Sequence, residues 1–328
     1  MNLNEASETL EILLDADTPA MLWGAVGIGK SSIVKQVAKK REQKVIDFRA
    51  STRDPVALMG LPDITGDTSR WKVPDEFPKV ERDGAEGILL LDEINAAAPS
   101  MQAACFGFVL DRQVGEYKLP EGWRIVAAGN RQSDRAAAQR MPSALANRFA
   151  HIDVEPDVKT TTDHFNEIDL SPVVTAFLRF RPELLHKPGN GDARSFPTPR
   201  SWEQAAKFID APEKLRFGLL AGNVGEAAAG ELEGFIRTYR NLPSIELVLA
   251  NPNSAPVPEK PDARFAISSA LARRVTETTI ANACAYMKRL PREFTISFMV
   301  DAVRRRSGLS HTDAFVQWST ENQDVVFG

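Results

Sequence analysis

Residues 24–31 read Gly-Ala-Val-Gly-Ile-Gly-Lys-Ser, and no other stretch narrows the possible folds of this chain so far. Gly24, Gly29, Lys30 and Ser31 fill a G-x-x-x-x-G-K-S pattern, with Gly27 inside it. The apolar run Ala20-Met21-Leu22-Trp23 comes before it. Ser32-Ile33-Val34-Lys35-Gln36-Val37-Ala38 comes after, with apolar residues at 33, 34, 37 and 38. The reading is strand, loop, helix, which is the context this motif requires. The glycines let backbone N–H groups turn inward around a triphosphate, and the helix start adds the positive end of its dipole. Lys30 is placed to reach the β- and γ-phosphates, and the Ser31 hydroxyl to ligate Mg²⁺. Ala25, Val26, Ile28 and Ser32 complete the stretch that wraps the phosphates.

A second segment completes the pattern. Gly87-Ile88-Leu89-Leu90-Leu91-Asp92-Glu93-Ile94-Asn95 opens with four continuous apolar residues after the glycine. Such a run predicts a strand buried on both faces, as in a parallel sheet. Asp92 and Glu93 then stand at its C-terminal end, where open α/β sheets bind ligands. There Asp92 holds the water shell of Mg²⁺ and Glu93 polarises an attacking water. Further strands are predicted at Lys44–Phe48, at Arg124–Ala128 running into Gly129-Asn130, and at His151–Val154. Strand–helix alternation through residue 154 predicts a three-layer α/β fold around a parallel five-stranded sheet. Asn130, at the end of a core strand, is a candidate to orient the lytic water or touch the γ-phosphate.

Composition sets outer bounds. The 328 residues suggest about two domains, and 43% apolar with 26% charged residues is ordinary for a globular protein. A net charge of −4 leaves no global basic field to drive nonspecific nucleic-acid binding. The start Met1-Asn2-Leu3-Asn4-Glu5 lacks the pattern of a signal peptide, and no apolar run is long enough to span a bilayer. Cys105 and Cys284 sit in apolar helical stretches and read as buried free thiols, so a cytoplasmic location is expected. The four histidines show no metal-ligand spacing.

Walker A at 24–31, Walker B at 88–93 and Asn130 as "sensor 1" together resemble an AAA+ ATPase. Pro142-Ser143-Ala144-Leu145-Ala146-Asn147-Arg148-Phe149 resembles the superfamily's arginine-finger segment. Thr198-Pro199-Arg200-Ser201-Trp202 resembles the "sensor 2" start of a lid helix. Residues 51–60 look like the start of a helix-2 insert, and 109–119 like a hairpin before the sensor 1 strand. The combination is similar to the MoxR-type, dynein-related branch. The resemblance is good over 18–155, moderate to about 240 and weak beyond. The chain departs from the family's usual Pro-Gly, having Val26-Gly27, and carries Ser31 where Thr is frequent. Asn130 follows Ala-Gly rather than Thr-x. Each departure keeps the needed chemistry.

The resemblance implies an α/β nucleotide-binding core over 1–158, an α-helical lid over 159–250, and a helical segment over 263–328. Four prolines make 251–262 a semi-rigid connector. Helices are predicted at about 172–180, 200–208, 223–240, 264–275, 277–289, 292–304 and 311–321, with a turn at 188–192. The implied chemistry is hydrolysis of ATP with Mg²⁺ in a hexameric ring. Arg148, with Arg140 as a second candidate, reaches into the neighbour's site, and Arg200 neutralises the triphosphate. A protein client is implied, in this branch often a partner with a von Willebrand factor A-like domain. A nucleic-acid loader and a nucleotide-gated scaffold with little turnover are the alternatives. The acidic balance speaks against the loader, and Glu93 against the scaffold. Trp71 and Tyr117, in the insert and the hairpin, either face a partner or cover their own loops.

Overall fold

The computed structural model describes residues 1–68, 70–131, 139–189 and 193–323. The chain divides into two compact units, Met1–Pro156 and Asp157–Gly328.

The first unit begins with α1 (Leu3–Asp15), β1 (Ala20–Trp23), α2 (Lys30–Lys40) and β2 (Lys44–Arg49). An insertion follows, with α3 (Pro55–Met59), the strand pair β3 (Leu61–Asp63) and β4 (Arg70–Lys72), and α4 (Val80–Asp83). Next come β5 (Glu86–Asp92), α5 (Pro99–Asp111), the hairpin β6 (Gln113–Val114) and β7 (Tyr117–Lys118), and β8 (Gly122–Gly129). The unit closes with α6 (Ser143–Ala146) and β9 (Ala150–Asp153). Five strands form one sheet in the order β2-β5-β8-β1-β9. Every pairing in it is parallel. This is the expected three-layer α/β fold.

The two-residue period of a strand explains why β5 is apolar without interruption. Ile88 and Leu90 join Leu22, Val126 and Ala128 in a core shared with Leu10 of α1 and Val34 of α2. Leu89 and Leu91 face the other way, among Met21, Ile125 and Ala127, with Met101 and Phe108 of α5. Both layers are fully buried, so register is specified from both sides of the sheet.

The insert and the hairpin lie side by side. The Trp71 N–H donates to Glu116 Oε1 at 3.4 Å. Gly115, with φ +54°, turns the hairpin so closely that a Cβ there would stand 3.1 Å from Met59 O. Tyr117 packs against the insert: it is buried, its ring stacks on Phe77 at 4.9 Å, and its hydroxyl donates to Pro78 O at 2.8 Å. Trp71 is 40% exposed.

The second unit is helical. It comprises α7 (Val158–Glu167), α8 (Pro172–Phe180), α9 (Pro199–Ala206), α10 (Glu213–Val224), α11 (Glu226–Arg240) and α12 (Ile245–Ala250). After these come α13 (Pro261–Arg274), α14 (Ile280–Met287), α15 (Arg292–Arg305) and α16 (Asp313–Glu321). The helix expected over 223–240 is α11, which starts at Glu226, and α10 precedes it as a helix of its own. Gly225, at φ +82°, ends α10 and opens the way for α11. A bidentate pair, Arg216 to Glu233 at 2.7 and 2.8 Å, ties α10 to α11 inside the unit. Residues 190–192 of the expected turn lie outside the described residues. The proline-bearing stretch before α13 is folded down rather than free. Ala255 is buried, Pro256 O accepts from the Tyr286 hydroxyl, and Arg289 donates to Pro252 O and Ala255 O. Among the described residues, no helix is long and apolar enough to cross a membrane.

Candidate functional site

The loop between β1 and α2 is shaped by its glycines. A Cβ on Gly24 would stand 2.4 Å from Ile28 Cδ1 and 2.7 Å from Val154 O, so only a bare backbone fits there. Gly27 and Gly29 take φ +78° and +103°, in the region side chains avoid. Gly29 caps α2, whose first-turn N–H groups lack partners within the helix. Ala25 and Ile28 are buried and anchor the loop, while Val26 is 42% exposed and Ser32 points outward.

Two strand ends meet this loop. The Lys30 ammonium donates to Gly24 O at 2.7 Å and Ala25 O at 2.9 Å. It also donates to Asn130 Oδ1, at the end of β8, at 2.9 Å. The Ser31 hydroxyl donates to Asp92 Oδ2, at the end of β5, at 2.8 Å. Asp92 Oδ1 accepts from the Glu93 N–H at 2.9 Å. Glu93 itself sits in the left-handed region, φ 56° and ψ 32°, which turns its side chain out of the strand direction. Asp92, buried and next to Glu93, makes this end of the sheet electronegative. Burial and then the Asp92 charge push the Asp47 carboxyl on β2 above its usual range, with Glu93 adding to the effect. A hydroxyl and a carboxylate as close neighbours form the hard-oxygen donor set that suits Mg²⁺. Ser31 and Asp92 therefore fit the ion. Among the described residues, no cluster of three or more His, Cys, Asp or Glu could hold a metal ion.

The sequence reading missed two residues here. The Ser51 hydroxyl, just beyond β2, donates to Glu93 Oε2. Asn95 is almost fully buried and its amide bonds the backbone of Asn130. Both contacts join segments far apart in sequence, and no local pattern announces them.

Among the described residues, Arg148 makes no hydrogen bond or ion pair with this cluster. Arg148 follows α6 and is exposed, with its guanidinium 6.0 Å from the centre of the Phe106 ring. Arg140 is also exposed, on the rim of a cavity of about 420 Å³ lined by Trp23, His151 and Met141 among others. Arg200, in the second unit, is an exposed residue of the first turn of α9. Thr198 caps that helix, its hydroxyl accepting from the Ser201 N–H at 3.0 Å.

A glycine-rich loop, an adjoining Ser–Asp pair and polar strand ends on a parallel sheet form the arrangement expected of a nucleoside-triphosphate site. Residues 20–155 match the family described as "ATPase family associated with various cellular activities (AAA)", so the first unit carries an AAA ATPase family domain. Among solved structures, the chain is similar to NtrX from Brucella abortus, at 17% identity over 99% of this chain and 68% of that one, with a TM-score of 0.36. It is also similar to a point mutant of RuvB from Thermotoga maritima, at 15% identity over 87% of each chain, with a TM-score of 0.40.

Proposed function

We propose that this protein hydrolyses ATP as a subunit of a ring, and that turnover drives the remodelling of a partner protein. The observation that carries the ATPase reading is the convergence of Lys30, Ser31, Asp92 and Asn130 through direct hydrogen bonds at 2.8–2.9 Å. Phosphoryl transfer needs positioning and charge stabilisation more than covalent chemistry, and these four side chains supply both.

In this reading Lys30 leaves its neutral carbonyl acceptors for the β- and γ-phosphate oxygens, because a charged acceptor gives a stronger bond. Ser31 and Asp92 hold Mg²⁺, which when bound offsets negative charge on the β- and γ-phosphates. Glu93 takes the position of the group that polarises the attacking water, and Asn130 orients that water. Arg200 acts as a further cation toward the triphosphate. Arg148 serves a neighbouring subunit's site. Its exposure suits a residue that acts outside its own subunit. An arginine finger is worth about 10³–10⁵ in rate, so assembly would control turnover.

The ring, six-fold by the MoxR-type resemblance, and a partner with a von Willebrand factor A-like domain are proposals of the same standing. The test is phosphate release measured alongside particle mass, with Mg²⁺-ATP and with a non-hydrolysable analogue. The reading expects Mg²⁺-dependent turnover that rises more than linearly with protein concentration. A monomer at all concentrations that turns over ATP briskly would remove the ring and the finger.

A further inference from the structure

We infer that Asn95 is a positioning residue for Asn130, locking the end of β8 to the end of β5. The assignment rests on the ATPase reading above, since the role of Asn130 belongs to that reading.

Asn95 lies three residues beyond Asp92, in the short 3-10 turn Ile94–Ala96 that follows β5. It is 1% exposed. Its side-chain amide makes two bonds to one residue. Nδ2 donates to Asn130 O at 2.6 Å, and Oδ1 accepts from the Asn130 N–H at 3.1 Å. A primary amide is the side-chain group that offers a donor and an acceptor side by side, so it matches both groups of one peptide residue. Its own backbone is used as well, with Asn95 O accepting from the Gln139 N–H at 2.8 Å.

The residue before Asn130 is shaped to admit this clamp. A Cβ on Gly129 would stand 2.3 Å from Asn95 Oδ1 and 2.7 Å from Met21 Cε. Asn130 is just past the last residue of β8, where sheet pairing ends. Without Asn95 its backbone N–H and C=O would be polar groups at a partly buried strand end, and their direction would be open. With it, the Asn130 side chain is held toward the phosphate loop, where Oδ1 meets Lys30. Glu93 directly precedes this turn, so one amide couples the two polar strand ends that the proposed reaction uses.

The test uses Asn95→Ala and Gly129→Ala in the full chain, with steady-state ATP hydrolysis and nucleotide binding measured on each. Asn95→Ala removes the clamp. Gly129→Ala leaves Asn95 in place and displaces its amide. Both should lower kcat by about tenfold or more, leave KM within about threefold, and keep nucleotide affinity. An equal loss in kcat and affinity, or an unchanged kcat in either folded variant, overturns the assignment. Should both variants fail to fold, the unmodified protein decides. Its Asn130 amide proton should exchange with solvent as slowly as those inside β8, and exchange as fast as in an open loop overturns the clamp. Wild-type protein that hydrolyses no ATP at all would instead remove the reading on which this rests.

Discussion

The Lys30 ammonium and Asn130 Oδ1 stand 2.9 Å apart, joining the phosphate loop to the far end of β8. In the proposed function this contact sets the distance between the cation that neutralises phosphate and the amide that orients water. Lys30→Ala should therefore lower nucleotide affinity, since it removes the cation. A charged hydrogen bond is worth about 1.5–3 kcal/mol, roughly ten- to a hundredfold in affinity. Asn130→Ala should leave affinity nearly intact and lower kcat. Titration of a fluorescent nucleotide beside steady-state turnover separates the two. Equal effects on binding from both changes would contradict the assignment.

The proposal that Arg148 acts on a neighbour predicts complementation. Arg148→Ala and Lys30→Ala should each be nearly inactive alone. Mixed, they should regain part of the wild-type rate, because some interfaces then pair an intact Arg148 with an intact phosphate loop. Phosphate release at varied mixing ratios measures this. A flat, inactive series would place the arginine's role within its own subunit.

The Arg216–Glu233 pair inside the second unit predicts an acid-sensitive stability. Its hydrogen bond from Arg216 holds the Glu233 carboxyl below the 4.5 of a free glutamate. A carboxyl depressed in the folded state stabilises the fold above its unfolded value, and that contribution is lost as pH falls through the folded value. Glu233→Ala should cost about 3–5 kcal/mol, because it leaves a buried guanidinium without its partner. Replacing both residues together, Arg216→Met with Glu233→Leu, should be close to neutral and should flatten the loss of stability below about pH 4.5. Denaturant unfolding at pH 7 and pH 4 reads both effects.

The cysteines predict silence. Burial pushes the Cys105 thiol up to about 12 and the Cys284 thiol up to about 11. Neither should react with a thiol reagent at pH 7.5 in the folded protein, and both should react at once in denaturant. Rapid labelling of native protein would show that the cores around α5 or α14 open readily.

Features carried by local sequence were legible, and features carried through space were not. The phosphate loop and β5 announce themselves because glycine spacing and an unbroken apolar run are local consequences of wrapping phosphate and of burial on both faces. The predicted strands at Lys44–Phe48, Arg124–Ala128 and His151–Val154 coincide, to within about a residue or two at the ends, with β2, β8 and β9 of the observed sheet. Ser51 and Asn95 were invisible as site residues, since their meaning lies in contacts to Glu93 and Asn130. Tyr117 shows the limit of reading an aromatic in a hairpin. Its hydrogen bond to Pro78 O and its stack on Phe77 depend on how the insert folds back. The prolines before α13 suggested a strut, but Tyr286 and Arg289 bind their carbonyls and fold the stretch down. Gly225 lies at the start of the span read as a helix, and its positive φ marks where α10 ends and α11 begins.

Under the proposed function Glu93, set in a left-handed turn beside Asp92, enables hydrolysis rather than binding. The direct measurement compares nucleotide affinity and phosphate release for wild type and Glu93→Gln. The account predicts equal affinity within about threefold and turnover lowered by about a hundredfold or more, in line with the worth of a positioned general base. A Glu93→Gln protein that hydrolyses ATP at the wild-type rate would contradict it.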